Sequence, residues 1–218
     1  MRKYVFADEA GCFAFTRGNN VSRYYAICTV VFDDPSQGHT LLDLRRQMAW
    51  EGVPLKPTFH CCEDSVPVRD RVFAVVAEMK LRVCVTLYEK SKAQPQTRVS
   101  KERFYQHAWF YHLKFSHPKF GLSPGDELLV TSATVGTRKE QAVFTSAVND
   151  VVNQNIRGTP WKTDFTQASA DPCLQVTDYC TWAVQRKWER GDEAAYNRVK
   201  HLIVHEVDSW SHGTKHYY

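Results

Sequence analysis

The run Tyr24–Phe32, YYAICTVVF, carries no charge and places β-branched or aromatic side chains at both odd and even positions. Such a strand reads as buried on both faces, so the sheet that contains it must be covered from two sides. Residues 3–8 read as an earlier apolar strand, and the turn signals at Gly11 and Arg17-Gly18-Asn19-Asn20 predict that the two form a hairpin. Beyond it, strand and helix patterns alternate. Helices are predicted over about 37–51, Pro67 to Met79, Lys101–Phe115, Arg138–Val152, Pro172 to Arg190 and about 193–204. Strands are predicted at Leu81–Tyr88, Glu127–Ser132 and Trp161–Ala168, while the final dozen residues carry no clear pattern. The whole argues for one α/β layered domain over residues 1–218, with a mixed central sheet of about five strands that starts from a hairpin. Ligand sites in such sheets lie at strand ends, so acidic residues there are the ones to examine.

Composition narrows the classes further. With 43% hydrophobic and 24% charged residues among 218, the chain can bury a full core, which excludes disorder, collagen and coiled coil. No apolar run approaches the roughly 20 residues of a membrane-spanning helix, and Met1-Arg2-Lys3 leads into a strand pattern, so a cytosolic, membrane-free protein is expected. Seven cysteines with no CxxC pair fit reduced core thiols better than a disulfide framework or a zinc ribbon. The net charge of +4 permits a polyanionic partner without demanding one. Nucleotide-binding GxxxxGK[ST] and GxGxxG loops and the GxSxG nucleophile elbow are absent from the sequence, which sets nucleotide-driven and serine-hydrolase chemistry aside.

Three places hold residues able to carry chemistry. Asp8 and Glu9 terminate the first strand just before Gly11. Strand alternation puts Tyr4, Phe6 and Asp8 on one face and Val5, Ala7 and Glu9 on the other, so both acids reach one site only if the strand bends. The plainer alternative is that they open a solvated turn. Asp178 falls in the second turn of a helix opened by Asp171 as N-cap and Pro172, among Val176, Tyr179, Cys180 and Trp182. A carboxylate in so apolar a stretch needs a metal or an ion pair; Gln175 and Thr181 share its face and could orient a ligand. His60, in Phe59-His60-Cys61-Cys62-Glu63-Asp64, reads as a proton shuttle beside an acidic site or as a loop histidine bonded to a carbonyl. Glu63 and Asp64 favour the start of the following helix. Two basic stretches, Lys90, Lys92, Arg98, Lys101 and Arg103, and Arg186, Lys187 and Arg190, could track phosphates, although solvated helix ends explain each by itself.

Taken together, YVFADEAG, FHCCEDSVPVRDRVF and ASADPCLQVTDYCTWAVQRKWERGD resemble the domain-of-unknown-function 3800 family over nearly the whole chain. The most specific match is Leu174-Gln175-x-x-Asp178-Tyr179, with Thr177 where the family has alanine. The resemblance implies a ribonuclease H-like, three-layer fold and metal ligands at Asp8, Glu9 and Asp178. One departure stands out: Thr131-Ser132 occupies a strand end where many relatives carry an acid.

The leading expectation is therefore a phosphodiesterase acting on RNA or DNA and dependent on Mg²⁺ or Mn²⁺. Asp8 and Asp178 would be the principal ligands, Glu9 a third ligand or water-orienting group, and His60 the proton carrier. The missing strand acid motivates a rival, a catalytically silent ribonuclease H-like module that binds nucleic acid or protein. A phosphatase acting on a small phosphomonoester with the same acids is a third reading.

Overall fold

In the computed structural model, which describes residues 1–134 and 138–218, the charge-free run is strand β2 (Tyr24–Phe32), and every one of its residues is buried. It pairs antiparallel with β1 (Arg2–Ala10), from Tyr4 opposite Phe32 to Ala10 opposite Ala26, which makes the expected hairpin. On its other side β2 pairs antiparallel with β3 (Leu81–Glu89). Strand β4 (Glu127–Ala133) runs parallel to β1, and β5 (Trp161–Thr166) parallel to β4.

The sheet holds six strands where about five are expected, in the order β5-β4-β1-β2-β3-β6. The addition is β6 (Ile203–Asp208), parallel to β3, and it corrects the expected helix over 193–204. Only Tyr196–Val199 is α-helical there (α6), followed by a 3-10 turn at Lys200–Leu202. As an edge strand of mixed exposure, IVHEVD lacks the apolar alternation that identifies strands in a sequence.

Helices cover both faces, as β2 requires. Helices α1 (Thr40–Trp50), α2 (Val66–Ala77), α5 (Pro172–Arg190) and α6 share a core with Phe6, Cys28, Val30, Val83 and Val85. Helices α3 (Lys101–Ser116) and α4 (Arg138–Asn155) cover the opposite face with Val5, Ala7, Ile27 and Val130. Local signals set the starts of two of them. Ser100 accepts from the Arg103 N–H to cap α3, and Asp171 accepts from the Cys173 N–H to cap α5, with Pro172 following it. His112 of α3 is wholly enclosed, its two ring nitrogens 3.0 Å from Thr29 Oγ1 of β2 and 2.9 Å from Thr86 Oγ1 of β3.

Gly11 ends β1 with φ of +99°, and a Cβ added there would lie 2.5 Å from the Tyr24 carbonyl oxygen. Both the left-handed conformation and the contact with rigid backbone exclude a side chain. Gly11→Ala is accordingly expected to cost about 2 kcal/mol or more in urea denaturation; an unchanged midpoint would contradict this account of the turn.

Candidate acidic site at the end of strand β1

Asp8 lies near the end of β1 on the face covered by α5, between Phe6 and Ala10 in the alternation. Burial pushes its carboxyl well above the ordinary carboxylate value, and the negative charges of Glu9 and Asp178 push it further. Asp178, on α5, is raised too, chiefly by burial; the Cys61 N–H and His60 act against that, and Asp64 and Glu63 with it. The fold thus brings together two acids 170 positions apart. Neither is neutralised by a lysine or arginine among the described residues, and the ion-pair contact to Asp178 comes from His60. A pair of partly buried carboxylates left this way repels itself, and a bound cation would relieve it.

His60 reaches the pair from a short turn between α1 and α2. Its Nδ1 lies 3.7 Å from Asp178 Oδ1, while the backbone N–H of Cys61 donates to Asp178 Oδ2 at 2.7 Å. The turn is held from below. Asp64 Oδ2 accepts from the His60 N–H at 2.8 Å and from the Tyr179 hydroxyl at 2.6 Å. Arg69 of α2 donates to the Cys61 and Asp64 carbonyls at 3.2 and 2.8 Å. Its guanidinium also lies over the Trp182 ring, as does that of Arg186. Asp64 therefore organises the loop rather than the helix start assigned to it from sequence, and Glu63 pairs with Lys56.

Glu9 takes the other face of the sheet, as strand alternation requires. Its Oε1 accepts from Tyr105 Oη at 2.7 Å and from Trp109 Nε1 at 3.1 Å, both on α3. Its Oε2 is buried without a partner among the described residues, and so is the Tyr25 hydroxyl. Burial pushes the Glu9 carboxyl up to about 7 against the lowering effect of the two hydrogen bonds. The three acids do not converge: among the described residues, no group of three His, Cys, Asp or Glu side chains could hold a metal ion. Gln175 and Thr181 are bonded to backbone carbonyls, those of Ala168 and Thr177.

Thr131 and Ser132 of β4 are buried beside Phe6 and Ala7, so the expected strand acid is replaced by hydroxyls on both faces. Sequence reasoning passed over Asp164 of β5, an exposed residue paired with Thr131 and thus on the Asp8 face. Its signal was an aspartate inside a strand. Two strands across and two residues back, it stands roughly 12 Å from Asp8, too far to share one ion. The basic stretches are also corrected in part. Lys90 is fully enclosed and Lys92 pairs with Glu89, while Arg186 pairs with Asp192 and Lys187 with Glu206.

Sheet order, hairpin start and helices on both faces define an α/β protein of ribonuclease H-like fold. Among solved structures, the ribonuclease H2 from Pyrococcus horikoshii OT3 superposes with a TM-score of 0.50 at 15% identity, over 92% of this chain and 77% of that one. A likeness at that identity speaks for the fold alone. No protein-family model matches the chain, and no curated protein matches it. No helix among the described residues is long and apolar enough to cross a membrane.

Proposed function

We propose that this chain, as one ribonuclease H-like domain, is a divalent-metal-dependent phosphodiesterase acting on nucleic acid, akin to the domain-of-unknown-function 3800 family. The observation that carries the reading is the proximity of Asp8 and Asp178, both partly buried near a strand end, with no lysine or arginine paired to either among the described residues. Mg²⁺ or Mn²⁺ would be held by these two; Glu9, expected from sequence as a third ligand or water-orienting group, is bonded to Tyr105 and Trp109 on the other face of the sheet and would act on the site only through its charge on Asp8. Such an ion would supply positive charge that keeps the carboxylates ionised and offsets charge on a phosphodiester. With so few carboxylates, water and substrate oxygens would fill the remaining positions, so binding of ion and substrate should be mutually dependent. His60, exposed beside Asp178, would accept or deliver a proton there, a role its 3.7 Å contact with Asp178 supports.

Calorimetric titration of Mn²⁺, with and without a phosphodiester oligonucleotide, tests this directly. Heat is expected that grows when the oligonucleotide is present and disappears in Asp8→Asn. No metal heat under either condition would remove the enzyme reading. It would favour the silent binding module, for which Thr131 and Ser132 at the missing-acid position speak.

A further inference from the structure

The loop after β1 holds a cluster that the phosphodiesterase reading leaves unused. Cys12 is half-buried there. Lys90, which follows β3, is 0% exposed, and its ammonium donates to Cys12 O at 2.9 Å and Ala14 O at 2.8 Å, with Cys12 Sγ at 3.2 Å. Ser22 closes the other side: the Cys12 N–H donates to its Oγ at 3.0 Å, and its hydroxyl donates to Cys12 Sγ at 3.6 Å.

An ammonium withdrawn from water costs several kcal/mol unless an opposite charge compensates it. The two carbonyls are neutral. Glu189 acts on Lys90 only through space, since its oxygens accept from the Arg23 and Tyr24 N–H groups. Tyr218, the other titratable neighbour of Cys12, lies beneath the Arg98 guanidinium. Of the atoms of the described residues in contact with the Lys90 ammonium, Cys12 Sγ alone can become an anion.

We propose that Cys12 and Lys90 form a thiolate–ammonium pair that makes Cys12 a modification site for small soft electrophiles, hydroperoxides among them. Burial pushes the Cys12 thiol up, but hydrogen bonds from Ser22, from the backbone at Ala14 and Ser22, and from Lys90 outweigh it and bring the thiol down to about 7. With hydrogen peroxide, the sulfur attacks one oxygen, the S–O bond forms and the O–O bond breaks. The departing hydroxide takes a proton from the Lys90 ammonium, which recovers one from solvent. Sulfur is oxidised by two electrons to the sulfenic acid, and the peroxide is reduced to water.

Exposed Cys62 serves as an internal reference, and the remaining cysteines are buried. The full-length chain is treated with iodoacetamide between pH 5.5 and 9.5 and alkylation is read peptide by peptide by mass spectrometry; a parallel peroxide reaction is trapped with dimedone. Cys12 is expected to reach half its maximal rate near pH 7, to outrun the more exposed Cys62 at that pH, and to carry the dimedone adduct. Lys90→Met should slow Cys12 alkylation at pH 7, by less than the roughly 15-fold fall in thiolate fraction that a full return to an ordinary thiol would bring, because the hydrogen bonds from Ser22 and the backbone remain. A wild-type midpoint at or above about 8.5, the ordinary thiol value, or an unchanged rate in Lys90→Met overturns the proposal. If Lys90→Met fails to fold, the wild-type pH profile decides alone.

Discussion

Asp178→Asn is expected to lower divalent-cation-dependent cleavage of an oligonucleotide by about 10³-fold, equivalent to ~4 kcal/mol of transition-state stabilisation. The substitution retains the shape and the oxygen that accepts from the Cys61 N–H at 2.7 Å, so the His60 turn keeps its anchor on α5. What disappears is one of the two neighbouring charges. Without metal, that loss relieves repulsion with Asp8, so the melting temperature of the cation-free variant should match the wild type or exceed it by about 2–4 °C. Loss of cleavage together with an intact melt separates a site residue from a structural one. Equal cleavage by variant and wild type would refute the assignment of Asp178.

A second large effect is expected in acid. Burial, with a smaller contribution from His205, holds the His112 imidazole down to about 3, so the folded protein keeps it neutral between the Thr29 and Thr86 hydroxyls. In the unfolded chain the same ring takes up a proton near pH 6.5. Between these two values the unfolded state binds the extra proton, so stability falls as pH falls. The loss is about 1.4 kcal/mol per pH unit, reaching about 3 kcal/mol by pH 4. Asp8, Glu9 and Asp178 act in the opposite sense, because their raised carboxyls take up protons in the folded state first. His112→Gln separates the contributions, since those acids are present in both proteins. Urea denaturation in chelator at pH 7 and pH 4 should show a stability loss in the wild type larger by about 3 kcal/mol than in His112→Gln. Parallel losses would show that His112 is not the group that protonates on unfolding.

The parts of this molecule that were legible in sequence are those governed by short-range periodicity. Alternation along YVFADEA assigned Asp8 and Glu9 to opposite faces, and that is where they lie. The charge-free Tyr24–Phe32 run implied cover on both sides of the sheet, and the Asp171-Pro172 pair opened α5 as its capping chemistry requires. What escaped depends on contacts across long stretches of chain. The donors to Glu9 come from Tyr105 and Trp109, about a hundred residues away in a segment legible only as an aromatic helix. Lys90 looked like a solvated loop cation because nothing local reveals that the Cys12 and Ala14 carbonyls enclose it. Asp64 looked like a helix-start acid because its partner Tyr179 lies 115 positions downstream. Strand β6 escaped for another reason: half-exposed at the sheet edge and paired on one side only, it needs little apolar patterning to form.

Strand β1 is flanked on both sides, by β2 and β4, so Asp8 sits on scaffolding that cannot drift without breaking two ladders. His60 belongs to a short span tied down by the Arg69 guanidinium, by the Asp64 carboxylate and by the Cys61 N–H on Asp178. The molecule therefore sets an acid fixed by the sheet beside a histidine fixed by side chains from two helices. Substitutions at Arg69 would shift His60 while leaving Asp8 where the sheet holds it.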